Sequence, residues 1–140
     1  MGEARTEITL LNYGDEIKAR DGFILESEVR QITVCAVVDN GLWMLVIDEK
    51  TREKLELLAE GTGETTIGGG GTVYRQRTEY TEYVEIRWKD RKTVCKAVVF
   101  SGEEGVSLGM FALEGLDLMI HPEMQEVIGA HGDAVRNVVK

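Results

Sequence analysis

Short apolar runs punctuate the chain, some of them continuous and some with hydrophobic positions recurring every second residue. "TEYVEIRW" (81–88) is the clearest: Val84, Ile86 and Trp88 fall on one side of an extended segment, Tyr83, Glu85 and Arg87 on the other. Runs rich in Val, Ile, Thr and Tyr predict strands over roughly 7–11, 16–20, 28–38, 42–47, 64–67, 72–77, 81–88, 93–100, 116–121 and 126–130. Lys89-Asp90-Arg91-Lys92 reads as a polar hairpin connection. Two stretches leave the two-residue period. "DEKTREKLELL" (48–58) sets Leu55 and Leu58 at helical spacing behind Asp48, a residue type that caps helix N-termini. "LGMFALEGLDL" (108–118) predicts a short helix from Met110 to about Glu114, stopped by Gly115. The expected class is all-β with one or two short helices. No repeat or linker divides the 140 residues, so one domain is expected over 1–140.

Charge narrows the partners. A formal net charge of −9 and a pI near 4.8 argue against nucleic acid, which is bound by neutralising phosphates with Lys and Arg. They also disfavour anionic membrane surfaces. No apolar run approaches the ~18 residues of a membrane span. The opening "MGEARTEITLL" lacks a basic region followed by an apolar segment, so a cytoplasmic protein is expected. Cys35 and Cys95 lie inside β-branched runs without CxxC spacing and read as reduced, buried and inert. His121 and His131 have no cysteine nearby, so neither a metal nor another cofactor is expected.

"ITVCAVVDNGLWMLVIDE" (32–49) allows two readings. Asn-Gly between apolar runs is the strongest short hairpin signal, because both residues tolerate the positive φ of a type I′ turn. Alternatively, the loop presents Asp39 as a reactive carboxylate. Gly68-Gly69-Gly70-Gly71 is equally open. A phosphate loop would need a Lys-Ser/Thr pair and a following helix, whereas a strand pattern follows. What remains is a free surface loop or a hairpin that closes over a ligand.

Taken in order, these features resemble the retropepsin-like aspartic proteases of the small bacterial type. In that family an Asp-Thr/Ser-Gly loop ends an apolar strand, as Asp39-Asn40-Gly41 ends "VCAVV"; a glycine-containing flap hairpin follows, matching Thr65 to Tyr74. A hydrophobic-hydrophobic-Gly motif then leads into a helix, here Ser107-Leu108-Gly109 before "MFALEGLDL". The resemblance covers about residues 5–135. It implies a closed β-barrel subunit that works as a homodimer, without cofactor or metal. Asp39 would be the catalytic residue and Asn40, Gly41 and Leu42 the rest of its loop. Ile67, Gly68, Gly69, Gly70 and Gly71 would form the flap, and Leu108 and Gly109 the hydrophobic-Gly motif. The implied activity is endopeptidase cleavage of a peptide or protein. Three positions depart from the family pattern: Asn40 stands for Thr/Ser, Leu42 for a small residue, and Ser107 for a hydrophobic one. They leave open a second reading, a catalytically impaired dimer of the same fold that binds peptides or proteins.

Overall fold

The computed structural model describes residues 4–69, 72–100, 102 and 104–131, with side chains described outside 64–69 and 72–77. The chain runs β1 (Arg5–Asn12), α1 (Tyr13–Arg20), a 3₁₀ turn (Glu26–Glu28), β2 (Gln31–Val38), β3 (Leu45–Asp48) and α2 (Glu49–Leu55). It continues through β4 (Ala59–Gly69), β5 (Thr72–Trp88), β6 (Arg91–Phe100), β7 (Ser107–Leu108), α3 (Met110–Leu116), β8 (Leu118–Ile120) and β9 (Val127–Gly129).

Strands β1-β2-β7-β3-β6-β5 follow one another in a sheet, and β5 pairs back onto β1 through Thr9↔Arg87 to Asn12↔Val84. Those six strands therefore close a barrel, which removes the sheet edges that would otherwise be exposed. β5 is long enough to serve twice. Its first part pairs with β4 as a hairpin, and from Glu79 onward it pairs with β6 in the barrel, across a register shift at Tyr80/Tyr83. β8 and β9 form a separate two-stranded sheet.

The inward positions follow the alternation. Val84, Ile86 and Trp88 are buried, and they join Leu10, Leu45, Ile47, Ala97, Val99 and Leu108 in a single core cluster. Each fully buried Leu or Ile contributes about 1.5–3 kcal/mol. The other face of β5 is covered only in part, at Glu85, while Tyr83 stays exposed. Glu85 is buried there, accepting from Arg87 Nε at 2.6 Å, while Arg87 Nη2 donates to Glu16 Oε2 of α1 at 2.9 Å.

Several expectations are corrected. The run 16–20 is helix, not strand, so among the described residues the helices number three besides the 3₁₀ turn. Asn12 caps α1: its Oδ1 accepts from Asp15 N at 3.1 Å, and its Nδ2 donates to Leu55 O at 2.9 Å. Gly115 does not stop α3 but lies within it, packed so closely on Thr93 that a Cβ would stand 2.8 Å from the threonine's own. The helix ends instead at Asp117, in the left-handed conformation with φ 55°. The 72–77 and 81–88 segments are one strand, and the turn before β6 is only Lys89-Asp90. Cys35 is exposed rather than buried, because it faces outward on β2; Cys95 is half-buried, and burial pushes its thiol up to about 11. The helix predicted behind Asp48 is α2, with Asp48 Oδ1 accepting from Thr51 N at 2.8 Å.

Candidate functional site

Asp39 follows the last residue of β2, and its surroundings show that it is no hairpin corner. β2 and β3 do not pair; β7 lies between them. Neither Asn40 nor Gly41 has the positive φ that a type I′ turn demands. Instead β2 runs parallel to β7, with Val37↔Ser107 and Val38↔Leu108, and Asp39 N continues the ladder by donating to Leu108 O at 3.0 Å. On its other side Val38 N donates to Ala4 O at 2.8 Å.

The loop after Asp39 is tied to itself and to α3. Gly41 N donates to Asp39 Oδ1 at 2.9 Å and Leu42 N to Asp39 O at 3.2 Å. The first N–H groups of a helix have no partner within it. Here Met110 N donates to Leu42 O at 2.7 Å and Phe111 N to Trp43 O at 3.0 Å. Gly109, which precedes α3, has no side chain to do the capping, and a side chain would not fit. A Cβ there would stand 2.8 Å from Leu42 O and 2.9 Å from Met44 N, with Met44 O closer still. The crossing of 42–44 over 109 thus requires glycine. Asp39, Asn40, Gly41 and Leu42 are brought together with Leu108 and Gly109 by these backbone bonds, from positions far apart in the sequence.

Asp39, Asn40 and Gly41 are exposed in the single chain, and Leu42 is half-buried. A pocket of about 540 Å³ opens beside Asp39. Val37, Val38 and Asn40 line it on the barrel side, Ile120 and Pro122 on the side of the β8–β9 hairpin. A larger cavity, about 600 Å³, lies away from Asp39 between α1 and α2. Three of its charged groups are committed to one another: Arg30 pairs with Asp15 at 2.7 Å and with Glu56 at 3.1 Å. Among the described residues no cluster of His, Cys, Asp and Glu could hold a metal ion.

The β4–β5 hairpin pairs without interruption from Gly61↔Tyr80 to Gly69↔Thr72. Ile67, Gly68 and Gly69 lie near the outer end of β4, and the expected flap residues Gly70 and Gly71 lie outside the described residues. The sequence reading missed two features near Asp39. One is the hairpin wall at Ile120 and Pro122. The other is an exposed aromatic pair, Trp43 (67% exposed) and Phe111 (50%), with ring centres 5.9 Å apart. Neither carries a short-range signal, because both depend on where α3 and β8 come to rest.

No family model matches the sequence, and no curated protein matches it. Among solved structures the chain is similar to EIAV protease complexed with the inhibitor HBY-793, at 21% identity and a TM-score of 0.50. The match covers 81% of this chain and 86% of that one. The likeness is one of architecture: this chain has a retropepsin-like fold, a closed six-stranded barrel with, among the described residues, three short helices.

Proposed function

We propose that the protein is an aspartic endopeptidase whose reactive dyad consists of two Asp39 carboxylates, one from each chain of a homodimer. The observation that carries this reading is the anchoring of Asp39. Its backbone is fixed by Leu108 O, its Oδ1 by Gly41 N, and its loop by the first turn of α3, while the carboxylate stays exposed beside a pocket. A fixed, exposed carboxylate is what a dyad completed by a second copy requires. Each chain supplies one such loop, so two-fold symmetry supplies the pair.

The chemistry then follows from electrostatics. Two carboxylates about 3 Å apart cannot both ionise, so they share one proton. The ionised member accepts a proton from a water molecule as its oxygen attacks the peptide carbonyl carbon. The protonated member donates a hydrogen bond to the carbonyl oxygen, where negative charge develops. The tetrahedral intermediate then collapses with cleavage of the C–N bond, and the leaving amine takes up the proton that the dyad accepted from water. The substrate is a peptide or protein segment, and no metal enters the scheme.

The second reading, an impaired dimer of the same fold that binds peptides, draws on Asn40 and Leu42. Both alter the loop that would hold the two carboxylates together. Cleavage of an unbiased peptide library from acid to neutral pH separates the two. The parent chain is expected to cleave, and Asp39→Asn to cleave at least roughly 10²–10⁴-fold more slowly, the usual cost of losing a general base. Equal rates in the two would place the chemistry elsewhere. Binding without cleavage would favour the second reading.

A further inference from the structure

Arg91 belongs to no motif, yet it is among the most enclosed charged residues, 3% exposed at the start of β6. A guanidinium so deep is costly unless hydrogen-bonded. Its Nη1 donates to Leu116 O at 3.2 Å and to Asp117 O at 2.6 Å. Those carbonyls end α3, where the helix itself supplies no donors and where a cation is favoured. Asp117 Oδ2 stands 3.7 Å away, and the Trp88 ring centre 5.7 Å.

Gly129 of β9 lies against the same group. A Cβ at Gly129 would be 2.5 Å from Arg91 Nη2 and 3.0 Å from Nη1. Ala130 N donates at 2.8 Å to Asp117 O, the carbonyl that Arg91 also engages. The barrel, the end of α3 and the end of β9 therefore meet at one side chain. The β8–β9 sheet is separate from the barrel, and a two-stranded hairpin alone is marginally stable in water. Its opposite end, at Ile120 and Pro122, walls the pocket beside Asp39.

We infer that Arg91 is a positioning residue that fixes the β8–β9 wall of the Asp39 pocket, and that Gly129 is kept free of a side chain to admit it. The functional arm of this inference rests on the peptidase reading; the structural arm does not.

A double-mutant cycle of Arg91→Met and Gly129→Ala tests it, with Arg91→Lys as the conservative variant. Amide hydrogen exchange of 118–120 and 127–129 is read against β5 and β6 as internal reference. Each single variant should speed exchange of the β8–β9 amides by about tenfold, the change expected for one lost hydrogen bond, and leave the barrel amides alone. Gly129→Ala should add little to Arg91→Met, because the atoms that its Cβ would strike are gone. In the peptidase assay the singles should raise KM with little change in kcat, and Arg91→Lys should recover part of the loss. Simple loss of folded protein would lower the maximal rate and leave KM untouched.

Uniform exchange across the molecule, or additive effects in the double variant, would overturn the inference. If the parent cleaves no peptide, the peptidase reading fails, while the exchange cycle still decides the role of Arg91.

Discussion

Asn40 is the residue at which the proposed site departs most from the family it resembles. The resemblance implies that a hydroxyl at this position would bond across the proposed dimer and hold the two loops together. An amide offers both a donor and an acceptor, but it is larger, and two copies would meet near the axis. Asn40→Thr is therefore expected to tighten the dimer by about 1 kcal/mol per hydrogen bond gained and to raise cleavage. Dimer dissociation constants and cleavage rates for parent and variant check this. A weaker dimer with lower activity would mean that asparagine is an adapted part of the loop.

The same tripeptide shows what short patterns can and cannot carry. Asp39-Asn40-Gly41 has the local signature of a hairpin, and nothing within the eighteen residues around it argues otherwise. The hairpin is excluded by two residues far along the chain, Ser107 and Leu108, which enter the sheet between β2 and β3. Only the order of motifs along the whole chain pointed to that arrangement. Cys35 was misjudged for a related reason. Its apolar neighbours make the run look buried on both faces, whereas the outward face of β2 is largely uncovered.

At the level of elements, α1 is the clearest lesson. "NYGDEIKAR" has little helical periodicity, and Ile17 is its one large aliphatic side chain. A polar network selects the helix instead. Asp15 is buried and accepts from Arg30 Nε and Nη2, each at 2.7 Å, and from Arg30 N at 3.0 Å. The Arg30 guanidinium holds the Asp15 carboxyl below its ordinary 3.8.

The consequence for acid stability has a definite sign. A carboxyl with a depressed pKa stabilises the fold above its unfolded value, and that contribution is lost as pH falls through the folded value. Asp15→Asn should therefore cost about 1–3 kcal/mol at neutral pH, the range for leaving a buried partner unsatisfied. The gap between parent and variant should begin to narrow as pH falls below about 4, where the unfolded carboxyl takes up its proton. It should close only below the depressed folded value, where the parent's carboxyl is protonated as well. Urea unfolding at pH 7 and at pH 2–3 measures both. A gap that stays constant with pH would show that Asp15 acts through shape alone. By contrast α2 was legible from Asp48 and its flanking leucines, because its cap lies within one turn of the residues that it serves. The long alternation of β5 was legible as well, since a strand buried on one face writes its period directly into the sequence.

On the scale of the whole molecule, the barrel is complete in one chain, but the proposed reaction is not. Two copies would carry 2 × −9 = −18 charges, so repulsion opposes the proposed dimer and a sizeable apolar contact must outweigh it. Mixing the parent with Asp39→Asn, allowing the chains to exchange, and measuring the cleavage rate tests the account most directly. If only dimers with two Asp39 carboxylates react, an equal mixture should show about a quarter of the parent's rate at the same total concentration, as random pairing dictates. A rate of about half would mean that each chain works alone, and an absence of cleavage by the parent itself would contradict the peptidase reading outright.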